Sequence, residues 1–363
     1  MLRALQSMYC VVKARVRCGR GVTDLFLCPK GLKQGEITSP LLFSLFINEV
    51  AVEIMRSGKH GVQLFPDLLE IFILLFADDI AVLSDTPRGL QTQLDILASN
   101  ANALDLSVNL EKSNIIVFRN GGFLASNEHW TFNGNEVSVV NAYKYLRLYF
   151  STRLSFSRAF EDLAARGRKG TVEIYRILWK LGDVSPVLFF KMFDSQISPI
   201  LMYGSEVWGL HNHNVIEKVH LFALKKLLNV APRTPNDLVY GETGRYPLFV
   251  KARVNCLRYW LRLVRMDENR LPKKAYNMLL HLHGSGKYCW ATAVHDELYR
   301  NGYGYVWENQ GVQNVKSFLN AYRQRLIDTF GQSWHSHITE SPRFLVYRQF
   351  KSSIYLEEYF YEI

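Results

Sequence analysis

The sequence predicts an α+β protein, in which strands and helices fill residues 1–150 and mainly helices follow. Short apolar segments bounded by turn residues make up much of the first region, and two longer segments with helical spacing lie between them. After residue 151 the hydrophobic pattern becomes helical. Strands with segregated helices are typical of an antiparallel sheet that carries its helices on one face.

The first elements are a strand, a hairpin and a helix. VVKARVRC alternates apolar and basic residues, which predicts a strand with one solvated, positive face, and the turn-forming GRGVTD predicts a hairpin. TSPLLFSLFINEVAVEIMRSG predicts a helix with Ser39 as N-cap, Pro40 at its first position and Gly58 just past its end. Because this helix is apolar almost all round, we expect it to be buried.

The next elements surround two adjacent acids. IFILLFADDIAVLS predicts two short apolar strands joined by a tight turn, with Ala77, Asp78 and Asp79 at its tip. PRGLQTQLDILASNANAL predicts an amphipathic helix with an apolar face of Leu90, Leu94, Leu97, Ala101 and Leu104. LSVNLEKSNIIVF and, after a turn at Asn133-Gly134, NAYKYLRLYF each predict a strand.

Beyond residue 151 the patterns predict long basic helices. The segment 155–182 carries many cations, Ser185 and Pro186 open a second helix, and a third begins at Asn214. The Pro- and Gly-containing segment 231–247 is the best candidate for a linker, which divides the chain into regions 1–150, 151–230 and 231–363. The mixture of aromatics, Gly and His beyond residue 280 predicts no particular fold.

Composition favours a polyanionic partner. The 363-residue chain has a net charge of +10 and a pI of about 9.3, which points to nucleic acid. An odd number of scattered cysteines fits free thiols in a reducing compartment, and they are Cys10, Cys18, Cys28, Cys256 and Cys289. Neither a membrane-spanning segment nor a signal peptide is recognisable, so we expect a nuclear or cytoplasmic protein that is not secreted.

The two adjacent acids allow two interpretations. Asp is common in turns, so Asp78 and Asp79 can simply close a hairpin. Alternatively they bind Mg²⁺, or Mn²⁺ as the second candidate, because a hard cation offsets the cost of placing carboxylates among apolar residues. Acids that hold a pair of metals recur in phosphoryl and nucleotidyl transfer.

Two neighbouring segments bear on this choice. Upstream, GLKQGEITSPLLF places Gln34 and Gly35 in a turn before a helix, where an amide and a bare backbone suit close approach of a base or sugar. Downstream, LSVNLEKSNIIVF places Lys112 on a short turn. Each also has an ordinary interpretation, as a loop before a helix and as a solvated lysine.

Taken together and in this order, these segments resemble the reverse transcriptases of non-LTR retrotransposons. The resemblance covers residues 1 to about 230 and extends more loosely to the end of the chain. It rests on G-x-x-Q-G-x-x-x-S-P-x-L-F, aromatic-Ala-Asp-Asp, V-N-x-x-K-S/T, Y-K-Y-L and P-x-L-x-Y-G-x-E-x-W, which here are residues 31–43, 76–79, 108–113, 143–146 and 199–208.

The resemblance implies a polymerase palm, followed by a helical thumb and a helical C-terminal region. It implies that Asp78 is a catalytic metal ligand, that Asp79 assists it, and that Lys112 lies near the triphosphate. The pocket for the deoxynucleotide triphosphate and the template base would be lined by Gln34, Gly35 and Phe76.

The resemblance also implies partners, namely an RNA template and a DNA primer. Tyr143 and Tyr145 would belong to the hairpin that grips the primer end. The phosphates of the duplex would contact basic helices, and such binding does not depend on base sequence and weakens with salt. The candidate residues on these helices are Arg166, Arg168, Lys169, Arg258, Arg262 and Arg265. The sequence leaves the oligomeric state open.

The chain departs from the family pattern in three ways. A first catalytic aspartate on an earlier strand and the finger segments are not recognisable, so we expect the C-terminal portion of such a polymerase. Arg147 stands where the family usually has Gly, and Glu36 stands where a small or neutral residue is usual. We therefore expect no DNA synthesis by this chain alone.

Two further functions remain open, a non-catalytic nucleic-acid-binding module and an inert remnant. Binding that weakens with salt favours the module, whereas aggregation through an unpaired sheet edge favours the remnant. The aromatic residues Tyr259 and Trp260 beside the arginines fit base stacking or core packing. The other tryptophans are expected to be packing anchors, namely Trp179, Trp208, Trp290, Trp307 and Trp334.

Overall fold

The computed structural model describes residues 2–19, 21–58, 61–65, 69–182 and 185–357. The chain folds into two compact units. The first contains Met1–Gln63, Glu70–Asn109 and Ser126–Val137, and the second contains Leu64–Leu69, Leu110–Ala125 and Ser138–Ile363. The boundaries predicted at residues 150 and 230 stay predictions.

The strands are short and pair two by two. They are β1 (Lys13–Ala14), β2 (Arg17–Cys18), β3 (Gly21–Val22), β4 (Phe26–Leu27), β5 (Val62–Leu64), β6 (Leu69–Ile71), β7 (Ile73–Phe76), β8 (Asp79–Val82), β9 (Thr131–Phe132), β10 (Asn135–Glu136), β11 (Ala142–Tyr145) and β12 (Leu148–Ser151). In the described ranges, β1–β4, β2–β3, β7–β8, β9–β10 and β11–β12 are antiparallel pairs. The α+β class is confirmed, but separate strand pairs replace the expected continuous sheet.

The described residues of the first unit form three helices, α1 (Leu2–Tyr9), α2 (Ser39–Arg56) and α3 (Pro87–Ala103). Helix α3 packs against α2, β8 and β9. Its N-terminus is capped by the Thr86 side chain, which accepts a hydrogen bond from the Gly89 N–H at 3.1 Å. The helix predicted from the spacing of Leu90 to Leu104 is therefore present. The β2–β3 hairpin matches the predicted N-terminal hairpin, although Arg20 lies outside the described residues. The single strand predicted for VVKARVRC is instead divided into β1 and β2.

Helix α2 corrects one expectation. Its residues Ile47, Val50, Ala51 and Ile54 are buried, but Leu41 is 65% exposed. The helix therefore has one buried face and one exposed face, even though its sequence is apolar almost all round. The N-cap is Thr38 rather than Ser39, because Ser39 already lies in the first turn and directs its hydroxyl to the Lys33 carbonyl at 2.8 Å.

The second unit is helical after the β11–β12 hairpin. Its helices are α4 (Ser157–Leu181), α5 (Pro186–Met192), α6 (Ser198–Leu201), α7 (Ser205–Trp208), α8 (Asn214–Leu227), α9 (Asn236–Thr243), α10 (Leu248–Val264), α11 (Leu271–Gly284), α12 (Trp290–Arg300), α13 (Gly304–Glu308), α14 (Val315–Glu340) and α15 (Tyr347–Phe350). A π-helical turn, Phe193–Ile197, joins α5 to α6. Pro199 explains the wider turn, since proline has no N–H to donate to the carbonyl four residues earlier.

Two large hydrophobic clusters lie among the helices of this unit. One lies around α4, α6, α7 and α8, with Phe160, Leu163 and Trp208 at its centre. Helix α4 approaches α6 closely because Gly167 has no side chain, and a Cβ at that position would clash with Leu201. The second cluster joins α10 to α14 around Trp260 and Tyr322. Each large apolar side chain buried here contributes about 1.5–3 kcal/mol.

Three predicted elements differ from the structure. NAYKYLRLYF forms the β11–β12 hairpin that the resemblance implies, instead of the one strand that its pattern predicts. The strand expected within residues 106–118 is reduced to an isolated parallel bridge between Ile115 and Val139. The candidate linker contains α9, whose Val239 and Tyr240 are buried against the residues of α8, so its turn-forming composition was misleading. Among the helices that the structure describes, none is both long and apolar enough to cross a lipid bilayer.

Candidate active site and nucleic-acid interface

Asp78 and Asp79 lie at the end of the β7–β8 hairpin. Phe76 pairs with Asp79, and Leu75 pairs with Ile80, so Ala77 and Asp78 form a two-residue turn. Ala77 has a φ of 51°, the left-handed conformation that such turns often require. The predicted hairpin is confirmed, with Asp79 as the first residue of β8.

The side chains around this turn are open to solvent. Asp78 and Asp79 are exposed, and the adjacent Phe76 is 61% exposed. Leu75 and Ile80, which point to the opposite side of the hairpin, are half-buried. The apolar flanks therefore do not bury the two carboxylates, and no desolvation cost has to be offset.

The donor chemistry of this turn fits a divalent metal in part. Carboxylate oxygens are the ligands that Mg²⁺ prefers, and one or two of them commonly hold it together with substrate phosphates. Asp78 and Asp79 supply two such groups on adjacent residues. Within the described ranges, however, no cluster of three His, Cys, Asp or Glu side chains suits a metal ion.

Gln34 and Gly35 lie in an open loop before α2 in the same unit. Both residues are exposed, and Gly35 has a φ of 86° that favours glycine. The neighbouring Glu36 accepts a hydrogen bond from the Tyr9 hydroxyl at 2.6 Å. Sequence reasoning missed this contact because Tyr9 precedes Glu36 by 27 residues and belongs to no recognisable motif.

Lys112 and Tyr143 are joined within the second unit. Lys112 is exposed on the turn that ends at residue 112, as expected. The Tyr143 hydroxyl donates to the Lys112 carbonyl at 2.7 Å. Residues from two separate sequence motifs therefore meet, and the Tyr143 side chain holds the turn that carries Lys112.

The tip of the β11–β12 hairpin is strained. Leu146 and Arg147 have φ values of 46° and 67°, a conformation that costs a residue with a Cβ about 1–2 kcal/mol. Two side chains hold the turn: the Tyr203 hydroxyl donates to the Leu146 carbonyl at 2.7 Å, and Arg166 donates to the Arg147 carbonyl at 3.3 Å. The arginine in place of the usual glycine is thus accommodated by contacts with the helical residues.

Beside this turn is a cavity of about 630 Å³ that the sequence did not predict. Tyr145, Leu146 and Tyr203 form part of its lining, together with Glu206 and Lys251. The Lys251 ammonium donates to the Ser198 hydroxyl at 2.6 Å. Tyr145 therefore lines a cavity, whereas Tyr143 binds a backbone carbonyl.

The candidate basic residues of α4 differ in their contacts. Arg166 forms an ion pair with Asp162 at 2.8 Å, and Asp162 also binds Lys144 at 2.8 Å. Arg168 is exposed and stacks its guanidinium on the Phe222 ring, 4.2 Å from the centroid. Lys169 is exposed on the same helix. Arg168 and Lys169 are thus better placed for an external phosphate than Arg166.

The candidate arginines at the C-terminal end of α10, two within the helix and one just after it, also separate into two kinds. Arg258 and Arg262 are exposed, and Arg258 donates to the Asn255 side chain at 2.7 Å. Arg265 instead binds the backbone carbonyls of Val312 and Gln313, so it fastens the end of α10 to the segment before α14. Its structural contacts make it a poorer candidate for nucleic acid than the other two.

The aromatic residues beside them are packed. Trp260 is fully buried and donates to the Tyr276 hydroxyl at 2.8 Å, so it belongs to the core. Tyr259 is half-buried against Trp290, and burial raises the pKa of its hydroxyl, while Arg262 opposes this shift. Trp208, Trp307 and Trp334 are buried anchors, as expected. Trp179, by contrast, is 71% exposed, so the expectation of an anchor was wrong there.

A comparison with protein families identifies the region that carries these motifs. Residues 3–147 match the family described as reverse transcriptase (RNA-dependent DNA polymerase). Over these residues the chain is therefore similar to reverse transcriptases, and residues 3–147 are called the reverse transcriptase region below. It includes the Asp78-Asp79 turn, the Gln34-Gly35 loop and Lys112, whereas the basic residues of α4 and α10 follow it.

The curated relatives of this reverse transcriptase region come from non-LTR mobile elements. The chain is 25% identical over 207 residues to the RNA-directed DNA polymerase from mobile element jockey of Drosophila melanogaster. This alignment covers 55% of this chain and 22% of the relative. It is 25% identical over 198 residues to the probable RNA-directed DNA polymerase from transposon X-element of the same fly, with coverages of 52% and 20%.

A third relative aligns with most of the chain. It is the retrovirus-related Pol polyprotein from type-1 retrotransposable element R1 2 of Nasonia vitripennis, 21% identical over 339 residues. That alignment covers 87% of this chain and 75% of the relative. The chain spans about a fifth of the length of the jockey and X-element relatives that it matches.

Proposed function

We propose that the chain is part of an RNA-directed DNA polymerase that acts by two-metal nucleotidyl transfer. In this proposal residues 1–150 form part of the palm, residues 151–230 form the thumb, and residues 231–363 form a helical C-terminal region. The observation that carries it is the solvent-exposed Asp78-Asp79 pair at the end of a hairpin, within the region that matches reverse transcriptases.

The proposed roles follow from the chemistry of each side chain. Asp78 and Asp79 would hold Mg²⁺ or Mn²⁺, and the metal would neutralise charge on the phosphates of a deoxynucleotide triphosphate. Gln34, Gly35 and Phe76 would contact that nucleotide and the template base. Their exposure leaves them accessible to such a ligand.

The Lys112 side chain would lie near the triphosphate in the same proposal. It is exposed on its turn, and the Tyr143 hydroxyl donates its hydrogen bond to the backbone carbonyl of Lys112. A lysine ammonium binds phosphate as a compact point charge.

An RNA template and a DNA primer are the proposed macromolecular partners. The exposed cations Arg168, Lys169, Arg258 and Arg262 lie on α4 and α10, where they can neutralise phosphates. A net charge of +10 adds a long-range attraction to any polyanion. Binding of this kind positions a duplex without reading its bases.

We propose further that this chain alone binds nucleic acid but does not extend a primer. Two carboxylates on a single turn hold a cation weakly, whereas a two-metal site is fixed by acids from more than one strand. Within the described residues no third acid joins Asp78 and Asp79 in a metal-binding cluster. A non-catalytic nucleic-acid-binding module is therefore the second candidate function.

Primer extension and binding assays separate these functions. The chain is incubated with an RNA template, an annealed DNA primer, the four deoxynucleotides and either Mg²⁺ or Mn²⁺, beside an Asp78→Asn variant and an active reverse transcriptase as positive control. We expect no extension by either form, and equal binding of the template–primer by both. Extension that disappears in Asp78→Asn would overturn the proposed inactivity and establish catalysis.

Binding is measured across a salt series with the same template–primer. Affinity that falls with rising salt supports the proposal, because released counterions drive phosphate binding. Absence of binding at low salt, or affinity that ignores salt, would contradict both functions. Aggregation of the purified chain would favour the inert remnant instead.

A nuclear or cytoplasmic location is also proposed. All five cysteines are free, and Cys10 and Cys18 are exposed, an arrangement suited to a reducing compartment. Fluorescence microscopy of a tagged chain tests this location, and secretion into the medium would contradict it.

A further inference from the structure

The strained turn of the β11–β12 hairpin presents one side chain to solvent. Leu146 and Arg147 both have positive φ values, and Tyr203 and Arg166 hold their two carbonyls. The backbone of the turn is therefore fixed by contacts that do not involve the Arg147 side chain. That side chain is exposed, and it forms no ion pair or hydrogen bond with the residues that the structure describes.

The charges around this turn are mainly positive. Lys144 and Arg166 share the single carboxylate of Asp162, each at 2.8 Å. On the cavity side, Glu206 and Lys251 provide one acid and one base. With Arg147 included, the turn and its surroundings carry four bases and two acids, which favours a polyanionic partner.

We propose that Arg147 binds the phosphate backbone of a nucleic acid at the hairpin tip. A guanidinium can bind phosphate through two parallel hydrogen bonds, and the backbone of a turn fixed from two sides loses little freedom when the side chain binds. Strained backbone persists where surrounding contacts over-determine it, and it occurs frequently at ligand-binding positions. The inference rests on the proposed function and adds to it a residue at which the family pattern has glycine.

The test measures affinity for a labelled RNA–DNA duplex across a potassium chloride series. It uses the full chain and three variants: Arg147→Gly, Arg147→Lys and Arg323→Gln. Arg323 is an exposed arginine of α14 and serves as the matched control. The slope of log affinity against log salt reports the number of phosphates neutralised, at about 0.9 for each contact.

Arg147→Gly should lower the magnitude of the slope by about 0.9 and weaken binding, while its thermal stability does not fall. Arg147→Lys should keep most of the slope because it keeps the charge. Arg323→Gln should match the wild type. Loss of binding together with a loss of stability would point to a structural role and overturn the inference.

The outcomes also separate this inference from the proposed function. If the wild type binds in a salt-dependent way and Arg147→Gly keeps both its slope and its affinity, the arginine is a tolerated substitution and only the inference fails. If the wild type shows no salt-dependent binding, the proposed function fails as well. An equal loss in Arg147→Gly and Arg323→Gln would indicate a general effect of net charge and would contradict a local contact.

Discussion

The Tyr143 hydroxyl donates a hydrogen bond to the backbone carbonyl of Lys112 at 2.7 Å. Tyr143 begins the Y-K-Y-L segment, and Lys112 belongs to V-N-x-x-K-S, so the bond ties together two motifs separated by 31 residues. Ile115 follows V-N-x-x-K-S and Val139 precedes Y-K-Y-L, and these two residues form a parallel bridge through backbone hydrogen bonds. The turn that carries Lys112 is therefore anchored to the β11–β12 hairpin.

Tyr143→Phe should loosen this anchor. Removing one hydrogen bond of a partly exposed tyrosine lowers the free energy of unfolding by about 0.5–1.5 kcal/mol. Urea unfolding followed by circular dichroism measures the change. Tyr305→Phe is the control, since Tyr305 is 58% exposed and its hydroxyl has no hydrogen bond to the residues that the structure describes. Equal effects of the two substitutions would contradict the anchor.

Arg147→Gly should stabilise the chain. Glycine adopts positive φ without the Cβ clash, a gain of about 1–2 kcal/mol that its greater freedom in the unfolded chain reduces to roughly 0.5–1 kcal/mol. Arg147→Ala is the matched control because it removes the guanidinium and keeps the Cβ. Urea unfolding should place the glycine variant above both the wild type and the alanine variant, and an alanine variant as stable as the glycine variant would argue against backbone strain.

Truncation of two tryptophans should give very different results. Trp208 is fully buried, donates to the Tyr203 carbonyl at 2.9 Å and packs edge-on against Phe160, so Trp208→Ala should cost about 3–5 kcal/mol. Trp179 is exposed on the last turn of α4, so Trp179→Ala should cost less than about 0.5 kcal/mol. Thermal unfolding measures both. A large loss at Trp179 would restore the expectation that it is a packing anchor.

The hairpin that carries the two acids could be predicted because its signals are local. Short apolar strands surround a turn of Ala and Asp, and pairing follows from their spacing. The β11–β12 turn could not be predicted from local signals, because Leu146 and Arg147 are not turn-forming residues. Its stability depends on Tyr203, which follows Leu146 by 57 residues, and no local pattern reports such a contact.

The linker expectation failed for a related reason. The Pro and Gly residues in 231–247 predict a break, yet the segment contains the short helix α9, with Pro235 before it, Gly241 within it and Gly244 after it. Val239 and Tyr240 of that helix are buried against residues distant in sequence, including Phe330 of α14. In the candidate site, the sequence alone identified the candidate residues and the motifs to which they belong. It could not separate Arg265, which binds backbone, from the exposed Arg262.

Glu217 should make the stability of the chain depend on acid pH. Its carboxylate, 16% exposed, accepts hydrogen bonds from His220 at 2.8 Å, the Tyr240 hydroxyl at 2.7 Å and the Leu248 N–H at 2.7 Å. Burial by itself raises the pKa of Glu217, but the charge of His220 and these three hydrogen bonds outweigh it and lower the pKa. The folded chain therefore holds this proton less tightly than the unfolded chain, in which the pKa is about 4.3.

The direction of the pH effect follows from that difference. The contribution of Glu217 is fully present above the unfolded pKa of about 4.3, and it is lost as pH falls through the lower folded pKa. Glu217→Gln should cost roughly 3 kcal/mol at pH 7, because a buried charged partner is lost, and should flatten the fall in stability below about pH 5. Urea unfolding at a series of pH values measures this, with the exposed Glu161→Gln as control. If the curves of unfolding free energy against pH are parallel for the wild type and Glu217→Gln, another carboxylate causes the loss of stability at acid pH.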